Sequence, residues 1–433
     1  MERRSFIVGG LALAAGGAAR SAAAMLPNEQ KAWDEYRAAM VSPMKGLLDG
    51  EPVLMAPDMG SMGVVFAVNA LAEGCVDVAD NPELTNARRF FNEGFPQPEV
   101  DERVMRVRLT GLRPGGRYWY RAGAARLERV ASYWNKPSEI VWGKVHSFVV
   151  PGESAPSHFA MMTDTHAQYA QMAKITRKCR EVGAPLVVWN GDVPGGMTYT
   201  REELVKNYVA VPFNDGYAAD IPVALNRGNH DYRGFAALTM RDVVMPRDLA
   251  ARGAGFERLE YNFAIRMGEI ALIGLDTGED KPDAHPANHG VTSFTAFRRL
   301  QADWLKTQFA RPEIASAPYV VAFVHIPLYD PRPGANPGTL LEDYAQWQGE
   351  CAQLWGPVLS ANRVQLVLAG HQHRYRYDAP SPERPWAQIL GGGRGAKTFQ
   401  TLIEGCVEKG RLVVRVHDTD ANRLVAAHEF SPR

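Results

Sequence analysis

Short apolar runs alternate with stretches of helical periodicity through most of the C-terminal two thirds of the chain. Residues 158–162, 185–189, 221–225, 270–275, 319–324 and 364–368 are strand candidates, and helical spacing at 168–182, 201–209, 295–309 and 344–359 falls between several of them. This order predicts an α/β layered domain. The preceding hundred residues follow another pattern. Runs at 63–68, 104–109 and 118–121, separated by Gly, Pro and Asn, predict a small all-β sandwich domain. Between the two, Pro151-Gly152-Glu153-Ser154-Ala155-Pro156 has the composition of a linker. Ahead of the strands, Trp33, Tyr36, Met40, Met44 and Leu47 recur at near-helical spacing. The chain therefore divides into 1–24, a leader; 25–50, a helical lead-in; 51–150, the β-sandwich; and 156–433, the α/β domain.

Composition supports this division. At 433 residues, 46% hydrophobic and 22% charged, the chain is long enough for more than one core and is not of disordered type. Lys+Arg and Asp+Glu both number 48, so no excess positive charge points to nucleic acid, and an anionic substrate must be held locally. Arg3-Arg4-Ser5-Phe6-Ile7, an apolar small-residue run to Ala19, and Ala22-Ala23-Ala24 read as a cleavable export signal of twin-arginine type. The expected location is periplasmic or secreted. Residues 11–24 are too short and too rich in Ala and Gly for a membrane span, so none is expected after signal removal. Cys75, Cys179, Cys351 and Cys406 show no C-x-x-C spacing, which argues against a cysteine zinc site and leaves disulfides and buried thiols both open.

Five strand candidates end within a few residues of metal-capable side chains: Asp164-Thr165-His166, Gly191-Asp192, Gly228-Asn229-His230-Asp231, His325, and Gly370-His371-Gln372-His373. Sites in α/β sheets form beyond the carboxyl ends of the strands, so residues distant in sequence converge there. One such triplet reads best as an Asx turn or a helix cap. Five in succession read as a site. Asp192 is the natural bridge between two cations, because only a carboxylate offers two anionic oxygens. Neutral imidazoles suit Fe, Mn or Zn, whereas Mg and Ca prefer oxygen shells.

In this order, D-x-H, G-D, G-N-H-D, a histidine after a strand and G-H-x-H resemble the signature of calcineurin-like metallophosphoesterases, from about Phe159 to His373. The resemblance implies a four-layer αββα sandwich and a cofactor of two transition-metal ions. It also implies that Asp164, His166 and His373 bind one metal and Asn229, His325 and His371 the other, with Asp192 shared. His230 takes the place of a transition-state or leaving-group histidine, with Asp231 expected to hold its ring. The implied activity is hydrolysis of a phosphorylated small molecule or polymer by metal-activated water. A phosphomonoesterase is expected first, with a phosphodiesterase as the alternative on the same ligand set. A non-enzymatic binding module with a vestigial metal site is the contrasting possibility, and the presence of all seven ligands weighs against it.

Residues 109–121 resemble the strand–turn–strand corner of fibronectin type III-like domains that precede purple-acid-phosphatase-type catalytic domains. Two features depart from the purple enzymes, which have a tyrosine three residues after the bridging aspartate and lack the D-x-H histidine. Here Gly195 and His166 stand at those positions, and Tyr199 is the nearest tyrosine. The loops at 194–220 and 276–290, the latter with His285 and His289, are expected to set pocket width. The glycine run at 391–395, with Arg394, reads as a turn rather than a nucleotide loop, and Trp304 and Leu305 read as core. His146, His158, His417 and His428 have no evident constellation in sequence.

Overall fold

The computed structural model describes residues 46–94, 96–131, 134–210, 216–247, 255–288, 290–331, 347–393 and 398–433. The leader, most of the helical lead-in, His289 and Arg394 lie outside them. Two sheets face each other. The first has nine strands, in the order β21 (Arg423–Phe430), β20 (Arg411–Asp418), β19 (Thr401–Glu408), β10 (His158–Met162), β11 (Val187–Asn190), β12 (Val223–Asn226), β1 (Leu48–Asp58), β2 (Ser61–Val68) and β6 (Val104–Leu109). The second runs β13 (Phe263–Met267), β14 (Ile270–Leu275), β15 (Tyr319–Val324), β16 (Leu366–Ala369), β18 (Ala387–Leu390) and β17 (Arg376–Asp378).

Phe159, Met161 and Val188 from the first sheet meet Phe263, Val321, Phe323 and Leu368 from the second in one buried layer. On the outer face of the first sheet lie α1 (Tyr169–Val182), α2 (Arg201–Tyr208) and the short α3 (Tyr217–Asp220). The second sheet is covered by α4 (Phe294–Phe309), the one-turn α5 (Pro312–Ala315) and α6 (Gly349–Ala361), with Trp304, Leu305 and Trp355 buried beneath them. This is the expected α/β sandwich, and strands β10–β12 and β14–β16 run parallel within it. Among the described residues no helix is long and apolar enough to cross a membrane.

An all-β domain precedes it, and the two share a sheet. β1 pairs in parallel with β12, Met55 opposite Val223, so β1, β2 and β6 continue the first sheet. Alternate residues then serve two cores, which is why residues 63–68 read as one unbroken apolar run. Val53, Met55, Val65 and Ala67 pack toward the α/β domain, whereas Leu54, Val64, Phe66 and Met105 pack against a further sheet. That sheet contains β3 (Ala72–Ala79), β4 (Arg88–Phe91), β5 (Val100–Asp101), β7 (Arg117–Ala131), β8 (Trp134–Pro137) and β9 (Val141–Val149). The 151–156 segment is not a free linker. Gly152 donates to Arg266 O at 2.6 Å and accepts from Gly268 N–H at 3.0 Å, which pins the segment to β13.

β11, β12 and β16 end one residue later than their apolar runs suggest, and two of those extra residues are buried asparagines. Asn226 Nδ2 donates to Asn190 Oδ1 at 2.9 Å and to the carbonyls of Leu275 and Phe323 at 3.1 and 3.3 Å. Asn190 Nδ2 donates to Val324 O at 2.7 Å. The pair clips the carboxyl ends of one sheet to those of the other. Asn226→Ala strands three buried acceptors and is expected to lower stability by about 3 kcal/mol. An unchanged urea midpoint would dismiss the clip.

Candidate metal centre

Each predicted ligand follows a strand: Asp164 and His166 after β10, Asp192 after β11, Asn229 after β12, His325 after β15, His371 and His373 after β16. The opposed parallel sets bring them together. Asp164, His166, Asp192 and His373 offer ligand atoms within 4.8 Å of one another, as do Asp192, His325 and His371. Asn229 joins the second group, its Oδ1 3.1 Å from His371 Nδ1. Asp192 faces both ways, with Oδ2 3.7 Å from His166 Nε2 and Oδ1 3.2 Å from His325 Nε2. In the first group His373 Nε2 lies 2.8 Å from His166 Nε2 and 3.2 Å from Asp164 Oδ1.

This arrangement fits cations. His325 donates Nδ1–H to Asn190 O at 2.8 Å and His166 donates Nδ1–H to Pro194 O at 3.1 Å, so each aims the lone pair of Nε2 at the centre. Nε2 of His371 is buried without a hydrogen-bond partner, and that of His325 meets only the Asp192 carboxylate. Burial would lower the His325 pKa, but Asp192 and Asp164 outweigh it and push it up to about 10. Without metal the aspartates thus draw a proton into the centre. Burial also works against ionisation of Asp192, yet the surrounding histidines hold its carboxyl well below the usual range. Four imidazoles, two carboxylates and one amide suit two transition-metal ions.

The backbone is strained where the ligands sit. Asp164, His166, Asp192, His371 and His373 all have φ between 46° and 68°, in the left-handed region. Glycines admit the close packing. A Cβ on Gly392 would lie 2.3 Å from Asp164 Oδ2, and one on Gly228 would lie 2.4 Å from Asp192 Oδ1. Gly392 is therefore shaped to the back of a ligand cluster.

Asp231 departs from expectation. It does not hold the His230 ring: Oδ2 accepts the backbone N–H of Asp192 at 2.8 Å and of Gly228 at 2.7 Å, and Oδ1 accepts the Tyr208 hydroxyl. It fixes the bridging residue instead. Burial and the Asp192 charge push its carboxyl up to about 6. The hydrogen-bond partner of the His230 ring is Arg233, whose Nη1 is 3.1 Å from Nε2, while the His166 ring packs edge-on against it at 4.9 Å. Burial lowers the His230 pKa to about 4, Arg233 and His166 adding to the effect and Asp192 opposing it. Arg233 carried no signal in the sequence, because its carboxylate partners lie 46 and 47 residues away.

Tyr199 is exposed and packs against Phe235, with ring centroids 5.9 Å apart, rather than at the metal ligands. The cysteines are free and buried. The four histidines without an evident constellation in sequence have partners. His158 and His417 share Glu404 at 3.2 and 2.9 Å, His146 lies between Glu51 and Asp220 at 3.0 and 3.4 Å, and His428 stacks on Tyr377. Their partners come from separate strands or helices, so sequence proximity did not reveal them.

Residues 157–375 match the calcineurin-like phosphoesterase family, and the chain belongs to that family. With its two ligand clusters it is a dinuclear-metal phosphoesterase. A purple acid phosphatase from yellow lupin (Lupinus luteus) seeds has a similar fold, with a TM-score of 0.58 and 13% identity over 88% of this chain and 74% of that one. A dimetal phosphatase from Danio rerio aligns with a TM-score of 0.45 and 14% identity over 64% of this chain and 100% of that one. Curated proteins gave no match.

Gly392→Ala places a methyl against Asp164 while sparing the Asn229–His325–His371 side, so bound metal is expected to fall from about two ions per chain to about one. Elemental analysis showing two retained ions would contradict this. Glu404 tests a structural site. Burial raises its pKa, but hydrogen bonds with His158 and His417 outweigh that and bring it to about 2 from an ordinary 4.5. Its carboxylate therefore stabilises the fold above about pH 4.5, and the contribution fades as pH falls through about 2. Glu404→Gln is expected to be about 1 kcal/mol less stable at pH 7, with the deficit shrinking toward pH 3. Chemical denaturation at both pH values decides.

Proposed function

We propose that this protein is an exported phosphomonoesterase. The observation that carries the hydrolytic reading is Asp192, with one oxygen toward each ligand cluster. Two bound ions would supply a water of lowered pKa and charge to meet the developing phosphate oxygens. The chain's own contributions are separate from that chemistry. Asp231 holds the Asp192 backbone, and His230 stands beside the bridge, its Nε2 3.9 Å from Asp192 Oδ2.

Preference for a monoester is supported by the likeness to the lupin phosphatase fold. That likeness covers 88% of this chain and so extends beyond residues 157–375. The same extension supports a fibronectin type III-like, purple-type accessory domain. The D-x-H residue His166 and Gly195, whose Cβ would lie 3.0 Å from His166 O, support a centre without tyrosinate. Export rests on the Arg3-Arg4 leader. Exposed Met197, Tyr199, Phe235 and Leu238 flank the loops that carry Asp192 and His230, which favours aryl phosphates as probes.

The metal-loaded enzyme should hydrolyse p-nitrophenyl phosphate faster than bis(p-nitrophenyl) phosphate, and Asp192→Asn should lower both rates by about 1,000-fold or more. A diester preference would replace the monoesterase reading with a phosphodiesterase. Full activity in Asp192→Asn would sink the bridging role. A metal-free, inactive wild type would favour a binding module with a vestigial metal site.

A further inference from the structure

Residues 276–280, which leave the end of β14, grip both flanks of Asn229-His230-Asp231. On one side Asp276 Oδ2 accepts from Arg227 Nε at 2.7 Å and from the Tyr232 hydroxyl at 2.8 Å. The Arg227 guanidinium lies between the Tyr232 and Tyr261 rings, 4.3 and 4.6 Å from their centroids. On the other side Arg233 Nε and Nη2 meet the two Glu279 oxygens at 2.9 and 2.5 Å, and Nη2 also meets Asp280 at 3.0 Å. Lys281 backs Asp280 at 2.7 Å, so the acids that hold Arg233 are themselves held. The guanidinium is left with one aim. Its Nη1 points at His230 Nε2, 3.1 Å away.

A guanidinium has only donors, so Nε2 must accept. The neutral ring's proton is then on Nδ1, which is buried and has no hydrogen-bond partner. The other tautomer would leave Nδ1 equally unmatched and would set Nε2–H against a guanidinium N–H. The choice is imposed by Arg233. We propose that Arg233, braced by Glu279 and Asp280, is a positioning residue that fixes the tautomer and ring angle of His230 beside the reacting phosphate ester. This rests on the hydrolytic reading above. It assigns the loop at 276–280 a role in catalysis rather than in pocket width alone.

The test has two arms. In zinc-loaded protein with ¹⁵N-labelled histidine, the two-bond proton–nitrogen pattern of His230 should show protonated Nδ1 and bare Nε2. Arg233→Met should convert this to the other tautomer or to a mixture, and Glu279→Gln should move it the same way by less. In kinetics on p-nitrophenyl phosphate, Arg233→Met should lower kcat about 30-fold with KM changed by less than about 2-fold, as for loss of an acid–base partner's alignment. In a His230→Ala background the same substitution should change kcat by less than about 2-fold, because its effect passes through the missing ring. Arg233→Lys should recover part of the rate.

An unaltered His230 tautomer in Arg233→Met, or an equal loss of kcat with and without His230, would overturn the proposal. Loss of folding or bound metal in Arg233→Met would pass the decision to Glu279→Gln, read the same way. Were the wild type inactive on phosphate esters, the hydrolytic reading would fall by itself, and the nitrogen pattern would still decide whether Arg233 sets the ring.

Discussion

Two carboxylates, Asp164 and Asp192, are wholly buried within reach of each other and of four imidazoles, and much of the molecule is arranged around that fact. Buried anions must be balanced, and the polypeptide provides only part of the balance. Backbone N–H groups of His371 and His230 donate to them, and the rest is left to protonated histidine or to metal. Asp192 and Asp164 push the His325 ring up, against the effect of burial, which is the direction expected where two buried carboxylates face an imidazole. A divalent ion meets the same demand with more charge, and its binding free energy is then part of the stability of the folded chain.

The same demand accounts for the strain. Five ligands in the left-handed region represent on the order of 5 kcal/mol of local conformational cost, comparable to the whole net stability of an ordinary domain. Such a cost persists only where the surroundings over-determine the geometry. The zippered loops do this: Asp164 N–H to Gly191 O, His166 N–H to Asp192 O and Gly370 N–H to His325 O tie each ligand segment to the next. Beneath them the Asn190–Asn226 clip holds the two sheets in register, and Asn190 O also receives the His325 ring. Sheet packing and ligand orientation therefore meet in one pair of asparagines.

The clusters that could hold metal were legible in the sequence because each member sits a few residues beyond an apolar run, and strand ends converge by a rule of topology rather than by detail. The α/β layers were legible for a similar reason. What was not legible depends on pairs remote along the chain. Asp231 looked like the partner of its neighbour His230, yet the 3-10 turn at Asn229–Tyr232 directs its carboxylate to Asp192 N–H, and the ring is met by Arg233 instead. Glu279, Asp280 and the Glu404 histidine pair belong to the same class. Nothing local marks them, since an isolated surface-type charge reads the same whether or not a remote partner awaits it.

The domain boundary shows a subtler limit. A Pro, Gly and Ser-containing segment at 151–156 has the composition of a linker, but composition reports only that the backbone can turn there, not that the flanking parts are independent. The informative feature was the apolar run at 63–68, which has no polar face. An antiparallel strand in a free-standing sandwich keeps one face wet, whereas β2 is buried along its whole length. Both faces are covered because β1 and β2 extend the catalytic sheet beyond β12, with Val65 and Ala67 in one core and Val64 and Phe66 in the other. The β12 strand leads directly to Asn229. The accessory strands thus flank the strand that delivers Asn229 to the His371 side of the site, and the all-β part belongs to the scaffold that keeps the centre in register.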